Sequence, residues 1–288
     1  MWKKISILLE MIKFKHTVFA MPFALMGAFL AKRGAPDVTV FFWVVMAMVG
    51  ARTSAMTFNR IADRRFDAAN PRTTGRALPA GEVTLMQSWL LMLVASALFF
   101  FACFMLNPLA LKIAPFALGL TLFYSLTKRF TWLCHYVLGL ALSIAPIGAY
   151  IVLSGSFGLP PILLSVAVFF WVGGFDILYS LQDEEFDRQE RLHSIPQQFG
   201  RKKALIISAV SHLFTLGSLV VFGIIMASSW MYWIGFSLFS ALLIREHLIV
   251  KPNDISRVNQ AFATLNATAS IIFAVFSLLD LFQYYFIP

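Results

Sequence analysis

The chain has 288 residues, of which 59% are apolar and only 13% charged, and its formal net charge is +9, with a mean hydropathy of +0.78. Soluble domains carry about 25% charged residues, so this composition excludes a soluble globular domain and is written for lipid. The 2 cysteines, Cys103 and Cys134, are isolated, and the 5 histidines lack ligand spacing, which leaves neither a disulfide framework nor a histidine metal knuckle.

From the N-terminus, Lys3, Lys4, Glu10, Lys13 and Lys15 alternate with Trp2, Ile5, Leu8, Leu9 and Ile12 at the spacing of one helix face, predicting an interfacial amphipathic helix over 1–15. Charges interrupt its apolar run and no small-residue cleavage site precedes the first span, so it does not read as a cleaved signal peptide. Apolar stretches long enough to cross a hydrocarbon core of about 30 Å then recur along the chain. They predict nine transmembrane helices at 16–33, 38–60, 84–106, 108–127, 132–154, 160–182, 204–227, 230–249 and 259–285. The pauses between them carry turn residues: Gly34-Ala-Pro36, Asn107-Pro108, the run from Ser154 to Pro160, Ala227-Ser-Ser, and Lys251-Pro-Asn-Asp254. The fold class expected is an all-α integral membrane protein, one domain over 1–288.

With the N-terminus placed in the cytoplasm, 19 of the 23 lysines and arginines fall on cytoplasmic segments, the asymmetry expected of inside loops. Topology thus accounts for the excess positive charge, and a nucleic-acid partner has nothing left to explain.

The second span runs into Asn59, Asp63 and Asp67, four residues apart and therefore on one helical face, with Arg52 about two turns deeper on the same stripe. The sixth span repeats the pattern with Asp176, Tyr179 or Ser180, Asp183 and Asp187. Each cluster leads into a basic loop closing on proline and glycine, and four spans separate the copies, which predicts two tandem four-helix units plus one helix. Carboxylates at a membrane boundary can simply be solvated or paired with neighbouring arginines such as Arg64 and Arg188, but two clusters at equivalent positions argue for a site. Magnesium prefers one or two carboxylates together with water and phosphate oxygens. A diphosphate bridged by such ions between the clusters would have its remaining charge met by Arg72, Arg76, Lys128 and Arg129.

These motifs resemble those of the UbiA superfamily of intramembrane prenyltransferases. Asn59, Asp63 and Asp67 match its second-helix motif, Asp183 and Asp187 its sixth-helix Asp-x-x-x-Asp, and Tyr124-Ser-Leu-Thr-Lys128-Arg129 its segment after the fourth helix. Arg60 stands where many members have aspartate; helical spacing puts it off the Asn59–Asp63–Asp67 stripe, so the expectation is that metal binding survives. The Asn-Arg form looks like the 4-hydroxybenzoate polyprenyltransferase-like branch, which also contains menaquinone-pathway enzymes.

The resemblance implies magnesium as cofactor, with Asp63, Asp67, Asp183 and Asp187 as metal ligands and Asn59, Arg72, Arg76, Lys128 and Arg129 on the diphosphate. It implies transfer of a polyprenyl group to a hydroxylated aromatic acid: 4-hydroxybenzoate in ubiquinone biosynthesis, or a dihydroxynaphthoate in menaquinone biosynthesis. The catalytic residues expected are Arg52 as carboxylate clamp, Asp176 on the ring hydroxyl or the released proton, and Tyr179 shielding the cation. His193 and Ser194 are candidates for phosphate contact, and Lys13 or His16 for closing the site. The site would open to the cytoplasmic side of a bacterial inner membrane, with no protein partner implied. A different class, the ion-coupled transporter, is opposed by carboxylates at one face instead of the midplane and by the lack of a matched pair of broken helices. A non-catalytic scaffold predicts that replacing Asp63 or Asp183 changes little.

Overall fold

The computed structural model describes residues 7–8, 10–12 and 21–286. The ordered elements are α1 (Met21–Lys32), α2 (Val38–Ala69), α3 (Leu85–Leu106), α4 (Pro108–Thr127), α5 (Cys134–Ser154), α6 (Leu159–Ser180), a 3₁₀ turn (Leu181–Asp183), α7 (Glu184–Gln189), α8 (Ile195–Ile225), α9 (Trp230–Ile249), a π-helical turn (Gln260–Leu265) and α10 (Asn266–Phe286). Among the described residues the only extended pairing is the single bridge Lys251–Asp254, so the fold is all-helical.

Among the described residues, seven helices are long and apolar enough to cross a membrane: Val38–Ala69, Leu85–Leu106, Pro108–Thr127, Cys134–Ser154, Leu159–Gln189, Ile195–Ile225 and Gln260–Tyr284. The protein is therefore integral to a membrane. Of the other two expected spans, α1 has 12 described residues and α9 has 20, ending in Arg245, Glu246 and His247. Among the described residues, seven of the nine expected spans are carried by length and apolar character.

Local chemistry sets the boundaries. Thr84 and Gln87 form a capping box that starts α3. Asn107 closes α3 and caps α4 by accepting from Ala110 N at 2.9 Å, while its Nδ2 donates to Val152 O at 2.6 Å, pinning this hairpin to the end of α5. Gly200, at φ 76° and ψ 164°, breaks the first turn of α8 from its long apolar portion.

Two elements depart from the expected spans. α2 does not stop near residue 60; it continues as helix to Ala69, carrying Asp63 and Asp67 beyond the apolar stretch. The end of the sixth span is not one continuous helix, because residues 181–183 tighten into a 3₁₀ turn before α7. The backbone at Asp183, φ −103° and ψ 1°, interrupts the helix there, and Asp187, beyond that break, does not line the cavity that Asp176 and Asp183 line.

Close helix packing rests on small residues. A Cβ on Gly139 of α5 would stand 2.3 Å from Phe169 O of α6, and one on Gly50 of α2 would stand 2.8 Å from Phe99 N of α3. Around the central α6, Phe23, Trp171, Phe175, Phe239 and Phe273 are buried against one another and fill the half formed by α1, α6, α8, α9 and α10. In the half formed by α2–α5 the buried cluster is smaller: Phe99 and Cys103 of α3 with Ala110, Ala114 and Leu118 of α4.

Of the expected interfacial helix, Met11 and Ile12 are buried against Ala77 and Val83 of the loop after α2, with Ile7 and Leu8 beside them. Lys3, Lys4, Lys13, Lys15 and His16 lie outside the described residues.

Candidate active site

Between α2, α4, α5 and α6 lies a cavity of about 490 Å³. Its walls on α4 run from Ala110 to Lys128, a rise of about 27 Å at 1.5 Å per residue, close to the thickness of a hydrocarbon core. The deep part is lined by small apolar residues, including Ala47 on α2, Ala114 on α4 and Ala145 and Gly148 on α5. The other end is ringed by charge: Arg52, Asn59, Asp63, Asp67, Arg72, Arg76, Lys128, Arg129, Asp176, Tyr179 and Asp183 all line it.

On the α2 side, Asn59 Nδ2 donates to Asp63 Oδ2 at 2.9 Å, and Arg129 Nη2 stands 3.5 Å from Asp63 Oδ1 while donating to Ala62 O at 2.7 Å. Asp67 Oδ1 accepts from Arg76 Nη1 at 2.7 Å. Its Oδ2 receives no hydrogen bond, with Arg60 Nη1 3.6 Å away. Arg60 therefore does not point off the stripe: seven residues is two helical turns, which returns it to the face of Asp67, and its Nε donates to Met11 O at 3.4 Å.

On the α6 side, Asp183 is gripped by the loop after α2. Arg72 donates Nε to Oδ1 at 2.9 Å and Nη2 to Oδ2 at 2.6 Å, a bidentate fork. Asn70 Nδ2 donates to Oδ1 at 2.9 Å, and Arg72 Nη1 donates to the Tyr179 hydroxyl at 2.9 Å. Some desolvation works against the Arg72 charge, but these partners outweigh it and raise its pKa above the ordinary arginine value. The loop thus joins the two acidic clusters directly.

Asp187 is the exception. It is 0% exposed and does not reach the cavity wall. Lys128 Nζ pairs with its Oδ1 at 2.7 Å and Ser194 Oγ donates to its Oδ2 at 2.8 Å. Desolvation disfavours the Lys128 charge, and Asp187 with Asp183 more than restores it, leaving the lysine pKa above its ordinary value. Ser194, expected on phosphate, is fully buried as this partner and as the N-cap of α8. His193 donates its backbone N to Lys128 O at 2.7 Å and is not on the cavity wall.

Deeper in the cavity, Arg52 has no carboxylate within salt-bridge distance among the described residues, and its Nε makes no hydrogen bond. Asp176 is bound by His135, whose Nδ1 lies 2.7 Å from Asp176 Oδ2. His135 is a residue that sequence reading passed over, because its partner is 41 positions away and no local spacing signals it.

The match to known proteins follows this geometry. The family model for the UbiA prenyltransferase family matches residues 20–272. The chain belongs to the UbiA prenyltransferase family. Among its UbiA-family relatives, the 4-hydroxybenzoate octaprenyltransferase of Methylobacillus flagellatus is 30% identical over 249 residues, covering 86% of this chain and 84% of the relative. That of Aliivibrio fischeri is 29% identical over 259 residues, 90% of each chain. Among solved structures, an apo UbiA homologue from Aeropyrum pernix K1 superposes with a TM-score of 0.84 at 32% identity, over 92% of this chain and 98% of the other. A UbiA homologue from Archaeoglobus fulgidus bound to GPP and Mg2+ shares the fold, with a TM-score of 0.69 at 19% identity over 96% and 99% of the two chains.

Proposed function

We propose that this UbiA-family prenyltransferase transfers a polyprenyl group from a polyprenyl diphosphate to 4-hydroxybenzoate, in ubiquinone biosynthesis. The observation that carries this reading is Arg52. It is a cation placed in a membrane cavity with no carboxylate partner of its own among the described residues, below a ring of residues suited to diphosphate. An unpaired cation there is costly unless a ligand supplies the anion. An aromatic carboxylate does so in a bidentate fork. The names of the relatives favour the same acceptor.

The donor fits the rest of the cavity. Its isoprenoid chain would lie along the small-residue channel toward Ala110 and Val152. Its diphosphate would take Arg72, Arg76 and Arg129 in exchange for the carboxylates that now hold these arginines, with Asn59 and the Lys128 that Asp187 keeps in place alongside.

The residues also fit magnesium. Asp63 and Asp67 lie one turn apart with Asp67 Oδ2 unsatisfied, and Asp183 faces the same cavity. Among the described residues no three of His, Cys, Asp and Glu converge on one point. That donor set suits an ion which leaves most of its shell to water and phosphate, and a neighbour of the same fold binds GPP and Mg2+. Asp63, Asp67 and Asp183 would hold it, and Asp187 serves by fixing Lys128. When bound, magnesium neutralises the charge that builds on the departing diphosphate.

The protein's own groups then divide the work. Arg52 orients the acceptor by its carboxylate, Tyr179 presents its ring beside the allylic cation, and Asp176 receives the proton lost when the ring regains aromaticity. The reading includes nine spans with a cytoplasmic N-terminus, which puts the charged end of the cavity on the cytoplasmic side.

The test is to incubate membranes containing the protein with a polyprenyl diphosphate, magnesium and either 4-hydroxybenzoate or a dihydroxynaphthoate, and to look for product by mass spectrometry. Prenylated 4-hydroxybenzoate, lost with chelator, is the expected result. Product only from the naphthoate moves the enzyme to menaquinone biosynthesis, and product from neither, in folded protein, defeats the reading.

A further inference from the structure

His135 makes two hydrogen bonds that the reaction above does not use. It opens α5, is 2% exposed and shares the cavity wall with Asp176. Its Nδ1 lies 2.7 Å from Asp176 Oδ2, and its Nε2 is 3.2 Å from the backbone N of Ile195. A backbone amide can only donate, so Nε2 is the acceptor and carries no proton. The ring proton therefore sits on Nδ1 and points at the carboxylate. The main chain, not the solvent, chooses the tautomer.

Ile195 belongs to the segment that holds the cationic end of the site. Its neighbour Ser194 donates to Asp187, the partner of Lys128. His193 donates its backbone N to Lys128 O at 2.7 Å, and Cys134 Sγ donates to His193 O at 3.5 Å. One short loop thus fixes Lys128 and, through His135, the carboxylate of Asp176. Asp176 Oδ1 has no hydrogen bond among the described residues, and its side chain keeps 24% exposure on the cavity.

We propose that His135 is a positioning residue for prenyl transfer: its Nδ1–H holds one oxygen of Asp176 and leaves the other facing the acceptor ring to take its proton. This rests on the role given to Asp176 above. In that step the carbon–oxygen bond to the diphosphate breaks with its electron pair leaving on the diphosphate. A carbon–carbon bond forms between the allylic carbon and the ring, and the proton on the attacked ring carbon moves to Asp176 Oδ1 before release to water. His135 neither gains nor loses a proton, because Nε2 stays occupied by the Ile195 amide. Its part is to stop the carboxylate rotating away or turning toward Arg52.

Two substitutions separate positioning from packing. The amide nitrogen of Asn falls where His Nδ1 lies, so His135→Asn keeps the donor to Asp176 and loses the acceptor for Ile195. The carboxamide of Gln reaches the Nε2 position, so His135→Gln keeps the Ile195 contact and loses Asp176. In full-length protein in membranes, His135→Gln and His135→Ala are expected to lower kcat about 10- to 100-fold with KM for both substrates within about twofold of wild type. His135→Asn is expected to recover most of that loss. Combining His135→Gln with Asp176→Asn should lower kcat no further than Asp176→Asn alone.

Equal losses in the Asn and Gln variants, or losses that follow the drop in melting temperature, would show a purely structural histidine and overturn the proposal. An active wild type with an unimpaired His135→Gln variant overturns it alone. A wild type that prenylates neither acceptor overturns the reaction together with it.

Discussion

The two halves of the helical bundle treat their interiors in opposite ways. Around α6, α8, α9 and α10, aromatic side chains such as Trp171, Phe239 and Phe273 meet face and edge at centroid distances of 5.4 to 5.9 Å and leave no large space. Between α2, α4 and α5 many inward positions are alanine, among them Ala47, Ala51, Ala114, Ala117, Ala141 and Ala145, and these small residues line the cavity. Polar groups follow the same division. In the packed half Glu246 is fully buried and accepts from Asn266, which in turn accepts from Trp171 Nε1 at 2.7 Å, while the other Glu246 oxygen lies 3.8 Å from His212 Nδ1. In the open half Asp67 and Asp183 are held by arginines at the cavity wall, the partners that the proposed diphosphate would take over. Dense aromatic packing lies in one half and the charged cavity, the proposed site, in the other, and that packing offsets the cost of unpaired charge and empty volume in the open half.

Changes at the carboxylates should break this contrast most severely. Asp63→Asn or Asp183→Asn, like a chelator, is expected to cut kcat about 10³-fold, comparable to the loss of a central electrostatic contact in other enzymes. Quantified product in membranes with matched protein levels checks it, and near-normal turnover would favour a non-catalytic scaffold.

The next effect contrasts emptying one half with filling the other. Trp171→Ala should destabilise by about 3–5 kcal/mol, seen as a lower melting temperature in detergent. Ala114→Phe should leave the melting temperature nearly unchanged, because the cavity has room, but raise KM for a long-chain donor about tenfold and spare a short-chain one. Equal thermal losses in both variants would mean that the cavity half is as tightly packed as the other.

Arg52→Gln removes a cation without orphaning a described carboxylate, so stability should hold. A lost charge-assisted hydrogen bond of about 1.5–3 kcal/mol predicts a 10- to 100-fold rise in KM for the aromatic acid and little change for the donor. Steady-state kinetics with each substrate varied separately reads this.

The smallest effect is expected at Glu246→Gln, which keeps an acceptor for Asn266. Turnover should be unaffected and the melting temperature should move by no more than about 2–4 °C. A large loss of activity would carry function into the packed half and revive ion coupling.

Much of this organisation was legible because it is local. Apolar runs of span length and the four-residue spacing of Asn59, Asp63 and Asp67 both follow from helical geometry, and both helices are present. The same local reading misplaced Arg60, where the two-turn return to Asp67 was overlooked, and assumed an unbroken helix through Asp187. Nothing in the order of residues announces that 181–183 tighten into a 3₁₀ turn, since that depends on what α7 packs against.

By itself, the sequence determined an all-helical membrane chain with two acidic stripes beside basic loops, because periodicity and hydrophobicity act over a few residues. Only the tertiary structure decided the partners: Arg72 with Asp183 across 111 positions, His135 with Asp176 across 41, and Arg52 with no carboxylate among the described residues. Those choices turn on which helices approach closely enough to bring distant charges within 3 Å, and on which interior positions are too small to fill the space between them.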